Sequence, residues 1–193
     1  KTDTKSAADL KEYLARDKEK YQKPAMRLMF TSNHDENSWA GTEFERLGDA
    51  VKTMAALTYV LPQGQPLIYT GQEIGHNDRF EFFEKDPVKA WEANEWTEYY
   101  KSLNAMRHAN PALSAGAKGG DMVYLEPQND DVLAFVREVE GNKVVSIFNL
   151  SAQPQKVEFV EPFEGYKCGL TGEEAAIVQT FEMTPWQYYI LVK

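Results

Sequence analysis

The chain has 193 residues, with 30 acidic against 21 basic side chains and a formal net charge of −9, a balance that argues against gripping nucleic-acid phosphates or an anionic membrane surface. Hydrophobic residues make up 42%, enough for one large or two small cores, yet no apolar run approaches the roughly 20 residues of a membrane helix. The single cysteine, Cys168, can form neither an internal disulfide nor a thiolate metal cluster.

The chain opens on Lys1 rather than Met, with neither a signal peptide nor a transit peptide, so it is expected to begin mid-protein. Ser6-Ala7-Ala8-Asp9 has the form of a capping box, and Leu10, Tyr13, Leu14 and Tyr21 follow at helical spacing, with Pro24 as the stop. Met26–Thr31 is an apolar run of strand length, followed by the polar stretch Ser32–Ser38, which reads as a loop outside any core. Thr42-Glu43-Phe44-Glu45 is a second capping box and opens one long helix, whose stripe runs from Leu47 to Leu61 before Pro62. Gln63-Gly64-Gln65 reads as a turn and Pro66–Tyr69 as a second buried strand. Gly71, Gln72 and Glu73 then lead into a charged loop that runs past Asp86, and a third helix covers Glu95 to His108.

This alternation of helix and strand is the pattern of βα units around a parallel sheet. After Pro111 it changes. Strand-like runs at Met122–Leu125, Val132–Val139, Lys143–Leu150, Gln155–Val160 and Trp186–Val192, with weaker ones between, predict an antiparallel sandwich, with a tight turn at Gly141-Asn142. The expected division is therefore α/β over residues 1–112 and all-β over residues 113–193.

The sharpest chemical signal is the end of the first strand, where Asn33, His34 and Asp35 follow Phe30-Thr31-Ser32. In parallel α/β folds ligands sit beyond the carboxyl ends of strands, and an imidazole beside a carboxylate can hydrogen-bond sugar hydroxyls from two sides. The bland alternative is a polar turn whose Asn and Asp satisfy backbone groups. His34, Asp35, His76 and Asp78 could in principle gather around a metal from adjacent loops, but no His-x-x-x-His helix or Cys cluster supports that. No G-x-S-x-G marks a serine nucleophile. Several aromatic residues lie in polar stretches, where flat faces suit a neutral, hydroxyl-rich ligand. Trp39 and Tyr69 could be such platforms, although packing in the core is the ordinary fate of each.

Phe30-Thr31-Ser32-Asn33-His34-Asp35 resembles the F-x-x-N-H-D segment at the seventh barrel strand of the α-amylase family of glycoside hydrolases. Gly64 to Glu73 is similar to that family's eighth strand, G-x-P-x-I-Y-x-G-x-E, and the helix ending in Asn110-Pro111-Ala112-Leu113 resembles its last barrel helix. Val132–Arg137 and Val144–Leu150 look like its C-terminal β domain. The resemblance implies the last βα units of a (β/α)8 TIM barrel followed by an antiparallel β-sandwich domain.

It also implies a retaining enzyme of α-glucosidic bonds, acting on α-glucan or maltooligosaccharide, in which one carboxyl attacks, a second protonates, and a third favours the distorted ring. Carried over by motif, Asp35 is the third carboxylate, His34 its neighbouring hydroxyl ligand, and Asn33 the residue that shapes the strand end. The family's G-x-R-x-D nucleophile segment and its acid Glu have no counterpart in the chain. A complete barrel takes about 250 residues, and only about 110 precede the β unit. The chain is thus expected to be inactive alone and to self-associate through uncovered barrel strands. It is expected to hold no cofactor, calcium in an intact parent being left open, and to engage neither nucleic acid nor membrane. Polysaccharide use implies an expectation of export of a parent enzyme to a bacterial periplasm or exterior. Two rival readings are a carbohydrate-binding module, using Tyr124, Trp186, Tyr188 and Tyr189, and a structural α+β domain. Tyr188 and Tyr189 alternate along one strand, so at most one of the two is expected in the core.

Overall fold

In the computed structural model, residues 5–22, 25–126 and 129–193 are described. The expected stop at Pro24 lies outside them. Helix α1 spans Ala7–Lys20, and both halves of the Ser6–Asp9 capping box form. Strand β1 (Arg27–Met29) and strand β2 (Gly64–Pro66) pair in parallel, with Arg27 opposite Gly64 and Met29 opposite Pro66. The second strand therefore begins earlier than Pro66: Gly64 and Gln65, expected in a turn, carry the pairing. Leu67 extends it by donating its N–H to the Met29 carbonyl. The turn is displaced because Arg107 Nη2 donates to the Gly64 carbonyl from below, fixing the chain as strand there.

Between the strands lie helices α2 (Glu43–Leu47) and α3 (Val51–Val60), separated by a 3-10 turn. The Thr42–Glu45 capping box forms as expected, but the single long helix does not. Gly48 adopts φ +54, a left-handed conformation that ends α2, and the axis restarts at Val51. Helix α4 (Glu95–Ala109) has a reciprocal cap of its own between Asn94 and Thr97.

The β unit comprises β3 (Met122–Tyr124), β4 (Val132–Val139), β5 (Asn142–Asn149), β6 (Gln155–Glu158), β7 (Phe163–Cys168), β8 (Glu174–Ile177), β9 (Thr180–Met183) and β10 (Tyr188–Val192). Six of them form one antiparallel sheet, ordered β3-β4-β5-β10-β7-β8, and β6 pairs with β9 in a second. The β4–β5 hairpin turns on Glu140-Gly141, one residue before the expected site, because Val139 pairs with Asn142. Both turn residues have positive φ, 50° and 83°, which matches the right-handed twist of the flanking strands.

Each face of the large sheet has its own core. Leu133, Phe135, Val144, Phe148 and Ile190 pack with Leu57, Val60, Leu103 and Leu113 on the helical side. Val132, Ala134, Val145, Ile147 and Leu191 pack with Val157 and Met183 of the second sheet. Coverage on both faces explains why β4 and β5 read as near-continuous apolar runs rather than alternating ones. Tyr188 leans into the first core and Tyr189 into the second, so the strand does place them on opposite faces, but both of those faces are packed.

The small parallel pair contrasts with this. Met26, Leu28 and Phe30 stand exposed on one side of β1, and among the described residues β1 and β2 pair only with each other.

Candidate active site

Beyond β1 the chain leaves through Thr31, Ser32 and Asn33 and coils into a π-helical turn, Glu36–Ala40. The stretch expected to stay outside any core is buried at two points, Ser32 and Asn37. Asn33 starts the turn: its side-chain oxygen accepts the Glu36 N–H at 2.8 Å, and its carbonyl accepts the Asn37 N–H at 2.9 Å. His34 and Asp35 project from the outer side, with side chains 67% and 59% exposed, and His34 Nε2 lies 3.6 Å from Asp35 Oδ2. Both therefore remain open to an approaching ligand.

Beneath the loop is a buried polar floor. Thr31 Oγ1 donates to Glu43 Oε2 at 2.8 Å, and Gln72 Nε2 donates to both Thr31 Oγ1, at 2.7 Å, and Glu43 Oε2. Gln72 Oε1 in turn accepts the Tyr69 N–H at 2.6 Å. Arg46 closes the rim by donating to the carbonyls of Thr31 and Gly41. Glu43 is only 3% exposed, and burial pushes its carboxyl above the usual range, opposed by the hydrogen bonds from Thr31 and Gln72 and by Arg46. One carboxylate thus joins the end of β1 to the turn that follows β2.

The loop after β2 is tied down as well. Asn37 Nδ2 donates to the Asp78 carbonyl at 3.2 Å, and Asn37 Oδ1 accepts the Phe80 N–H at 2.8 Å. Thr42 Oγ1 donates to Asn77, and Arg79 Nε donates to Glu45 at 2.8 Å. The Arg79 guanidinium and the Thr42 N–H hold the exposed Glu45 carboxyl below its ordinary value.

His76 and Asp78 do not join His34 and Asp35. His76 stacks on Phe80 at 4.9 Å between centroids, and Asp78 faces Lys89 at 3.7 Å. Among the described residues, no group of three or more His, Cys, Asp or Glu is placed to hold a metal ion. Tyr69 is half-buried, edge-on to Phe80 at 6.0 Å. Trp39 departs from its expected place in the core and stands 64% exposed, because the π-helical turn carries it outward. Sequence reasoning missed the roles of Asn37, Glu43 and Gln72, whose partners lie far along the chain.

The aromatic residues of the β unit are engaged elsewhere. Tyr188 stacks on Phe148 at 5.4 Å and shares a 2.9 Å hydrogen bond with Tyr99, and the Tyr189 hydroxyl accepts from Gln187. Trp186 and Tyr124 are half-buried.

Comparison with known proteins accords with this architecture. The family described as the α-amylase catalytic domain matches residues 1–111, and the maltogenic amylase C-terminal domain matches residues 122–190. The α-amylase MalA of Haloarcula japonica is 31% identical over 137 residues, covering 67% of this chain and 19% of that protein. Neopullulanase 2 of Thermoactinomyces vulgaris is 31% identical over 128 residues, covering 63% and 21%. The chain thus spans about a fifth of the length of these curated relatives. Among solved structures, the maltogenic α-amylase AmyB of Thermotoga neapolitana superposes with a TM-score of 0.76 at 15% identity, over 98% of this chain and 46% of that one. The trehalulose synthase MutB of Pseudomonas mesoacidophila MX-45 gives 0.68 at 20% identity, over 98% and 47%. The fold is that of the closing βα units of a TIM barrel followed by an antiparallel β domain, and the chain belongs to the α-amylase family of glycoside hydrolases.

Proposed function

We propose that this chain is the C-terminal portion of a retaining enzyme that cleaves α-glucosidic bonds in starch or maltooligosaccharides. Asp35 is its transition-state-stabilising carboxylate. The observation that carries this reading is the pairing of exposed Asp35 and His34 at the carboxyl end of β1, on a loop braced from below. A carboxylate placed there accepts hydrogen bonds from sugar hydroxyls. Bonds that shorten as the ring flattens toward an oxocarbenium ion lower the barrier rather than merely the ground state. His34 donates to or accepts from a neighbouring hydroxyl, and Asn33 holds the turn that aims both.

One of three carboxylates cannot run a double displacement, so the purified chain is expected to release no product from starch or a chromogenic maltoside. Sustained turnover by the chain alone would overturn the assignment. In an intact enzyme containing this segment, Asp35→Asn is expected to lower kcat by about a hundredfold or more, as for loss of a group acting mainly in the transition state. An Asn variant with near-wild-type kcat would remove Asp35 from the mechanism.

The exposed side of β1, with Met26, Leu28 and Phe30, further supports self-association of the isolated chain. Sedimentation velocity is expected to show a dimer at high concentration. A species that stays monomeric across the accessible range would refute it.

A further inference from the structure

At the end of the parallel pair opposite Asp35, where β2 begins and α4 ends, lies a cavity of about 420 Å³, a size typical of small-molecule sites. Its polar lining is Gln65, Asn104, Arg107, His108, Ser114 and Lys118, so it holds three basic side chains and no acidic one.

The surrounding chain shares that bias. Neither residues 50–72 nor residues 99–120 contain an Asp or Glu, although the protein has 30 of them. Acids on adjoining elements already have cations: Asp17 pairs with Arg27 at 2.7 Å, Glu98 with Lys101 at 2.8 Å and Glu138 with Lys143 at 2.9 Å. Asp121 acts on Arg137, whose pKa is lowered by burial and further by the nearby Arg107 charge. Among the described residues, Arg107, Arg137, His108 and Lys118 form no ion pair. The net charge of −9 repels long polyanions, yet a recess lined by one sign of charge concentrates a small anion.

Bases in the last turn of a helix ordinarily serve its dipole, and Arg107 and His108 stand there in α4. His108 is not needed for that purpose. Asn110 already donates to the Met106 and Arg107 carbonyls, and Arg107 donates to those of Tyr59 and Gly64, using two of its five N–H groups. Asn104 accepts from the Tyr59 hydroxyl at 3.0 Å, and its amide N–H groups have no acceptor among the described residues.

The wall that carries Lys118 is rigid. Arg137 donates to the Ser114 and Gly120 carbonyls, and the Gly120 N–H donates to the Ala112 carbonyl at 2.9 Å. A Cβ on Gly119 would lie 2.0 Å from the Ser114 oxygen, so the turn is packed backbone against backbone. A lysine presented from such a turn loses little freedom when it meets a ligand.

We infer that this cavity is a second ligand site, in which Arg107, His108 and Lys118 seat the phosphate group of a small phosphorylated sugar and Gln65, Asn104 and Ser114 meet its hydroxyls. The test is NMR of the 193-residue chain in phosphate-free buffer at fixed ionic strength, following the imidazoles of its three histidines. Glucose 6-phosphate is expected to shift His108 saturably, and glucose to leave it in place. Lys118→Ala is expected to weaken the apparent affinity about tenfold, the loss of one charge-assisted hydrogen bond. His108→Gln, read through ³¹P line broadening, should weaken it in the same direction. Both side chains are exposed, so the fold should tolerate either change, and Lys101→Ala, at an exposed lysine of α4, should leave binding unaltered.

Inorganic phosphate, which lacks the hydroxyls, is expected to bind more weakly. Equal affinity would overturn the sugar ester in favour of the free ion. Glucose that shifts His108 as its phosphate does, or affinity indifferent to both Lys118→Ala and His108→Gln, would overturn the phosphate seat. A shift of His34 or His76 while His108 stays still would place the anion at the candidate active site and overturn it as well.

Discussion

Glu43 shows how much of the site rests on one side chain that never meets solvent. Its carboxylate joins Thr31 at the exit of β1 to Gln72 after β2, and burial raises its pKa above the ordinary 4.5. Between the ordinary value and the raised one, the native state therefore binds more protons than the unfolded chain. Stability from this group is complete below about pH 4.5 and is lost as pH rises through the folded-state pKa. Glu43→Gln keeps the acceptor for Thr31 and Gln72 but cannot ionise. It is expected to flatten the fall in Tm above pH 4.5, measured by thermal melts across a pH series. An unchanged slope would assign the pH dependence to other groups. Glu43 was not legible as a buried residue, because its capping position reads as surface and its partners lie 12 and 29 residues away. Asn33, His34 and Asp35 could be singled out, since a strand-length apolar run that ends in Asn-His-Asp is a local pattern.

Local chemistry explains the elements that sequence could place. Two capping boxes marked the starts of α1 and α2, and each forms with both reciprocal bonds. Where prediction slipped, a contact from elsewhere in the fold or a single backbone dihedral decided. Gly48 divides the helix after Thr42, and the hairpin turn falls on Glu140-Gly141 because the long β4–β5 register outranks the Gly-Asn signal. Gly141 at φ +83 has open space around its Cα, so a methyl there meets only backbone strain. Gly141→Ala is expected to destabilise the protein by about 1–2 kcal/mol, the penalty for a left-handed L-residue. Urea denaturation measures it, and a loss below a few tenths of a kcal/mol would mean the turn relaxes to another type.

At the scale of the molecule, Arg137 links what composition divides. It is 1% exposed and donates to the carbonyls of Val60 and Leu61 at the end of α3, and to those of Ser114 and Gly120 in the connector. Burial lowers its pKa to about 10, well above neutrality, so it stays charged and complements the negative end of the helix dipole. Arg107 grips Tyr59 and Gly64 from the other side. Arg137→Ala leaves several buried carbonyls unpaired and is expected to lower stability by roughly 3 kcal/mol or more. It should also part the far-UV and tryptophan-fluorescence melts, which are expected to coincide in the unsubstituted chain. Coincident melts at an unchanged Tm would show the guanidinium to be dispensable. The change of pattern after Pro111 was visible in sequence, whereas this tie was not, since no local signal tells a strand arginine to turn inward. Because one guanidinium clasps both ends of the connector, a protease that nicked residues 115–119 would liberate neither half. Gel filtration of the cut protein should still show one particle, so the point where the sequence changes character is not where the molecule comes apart.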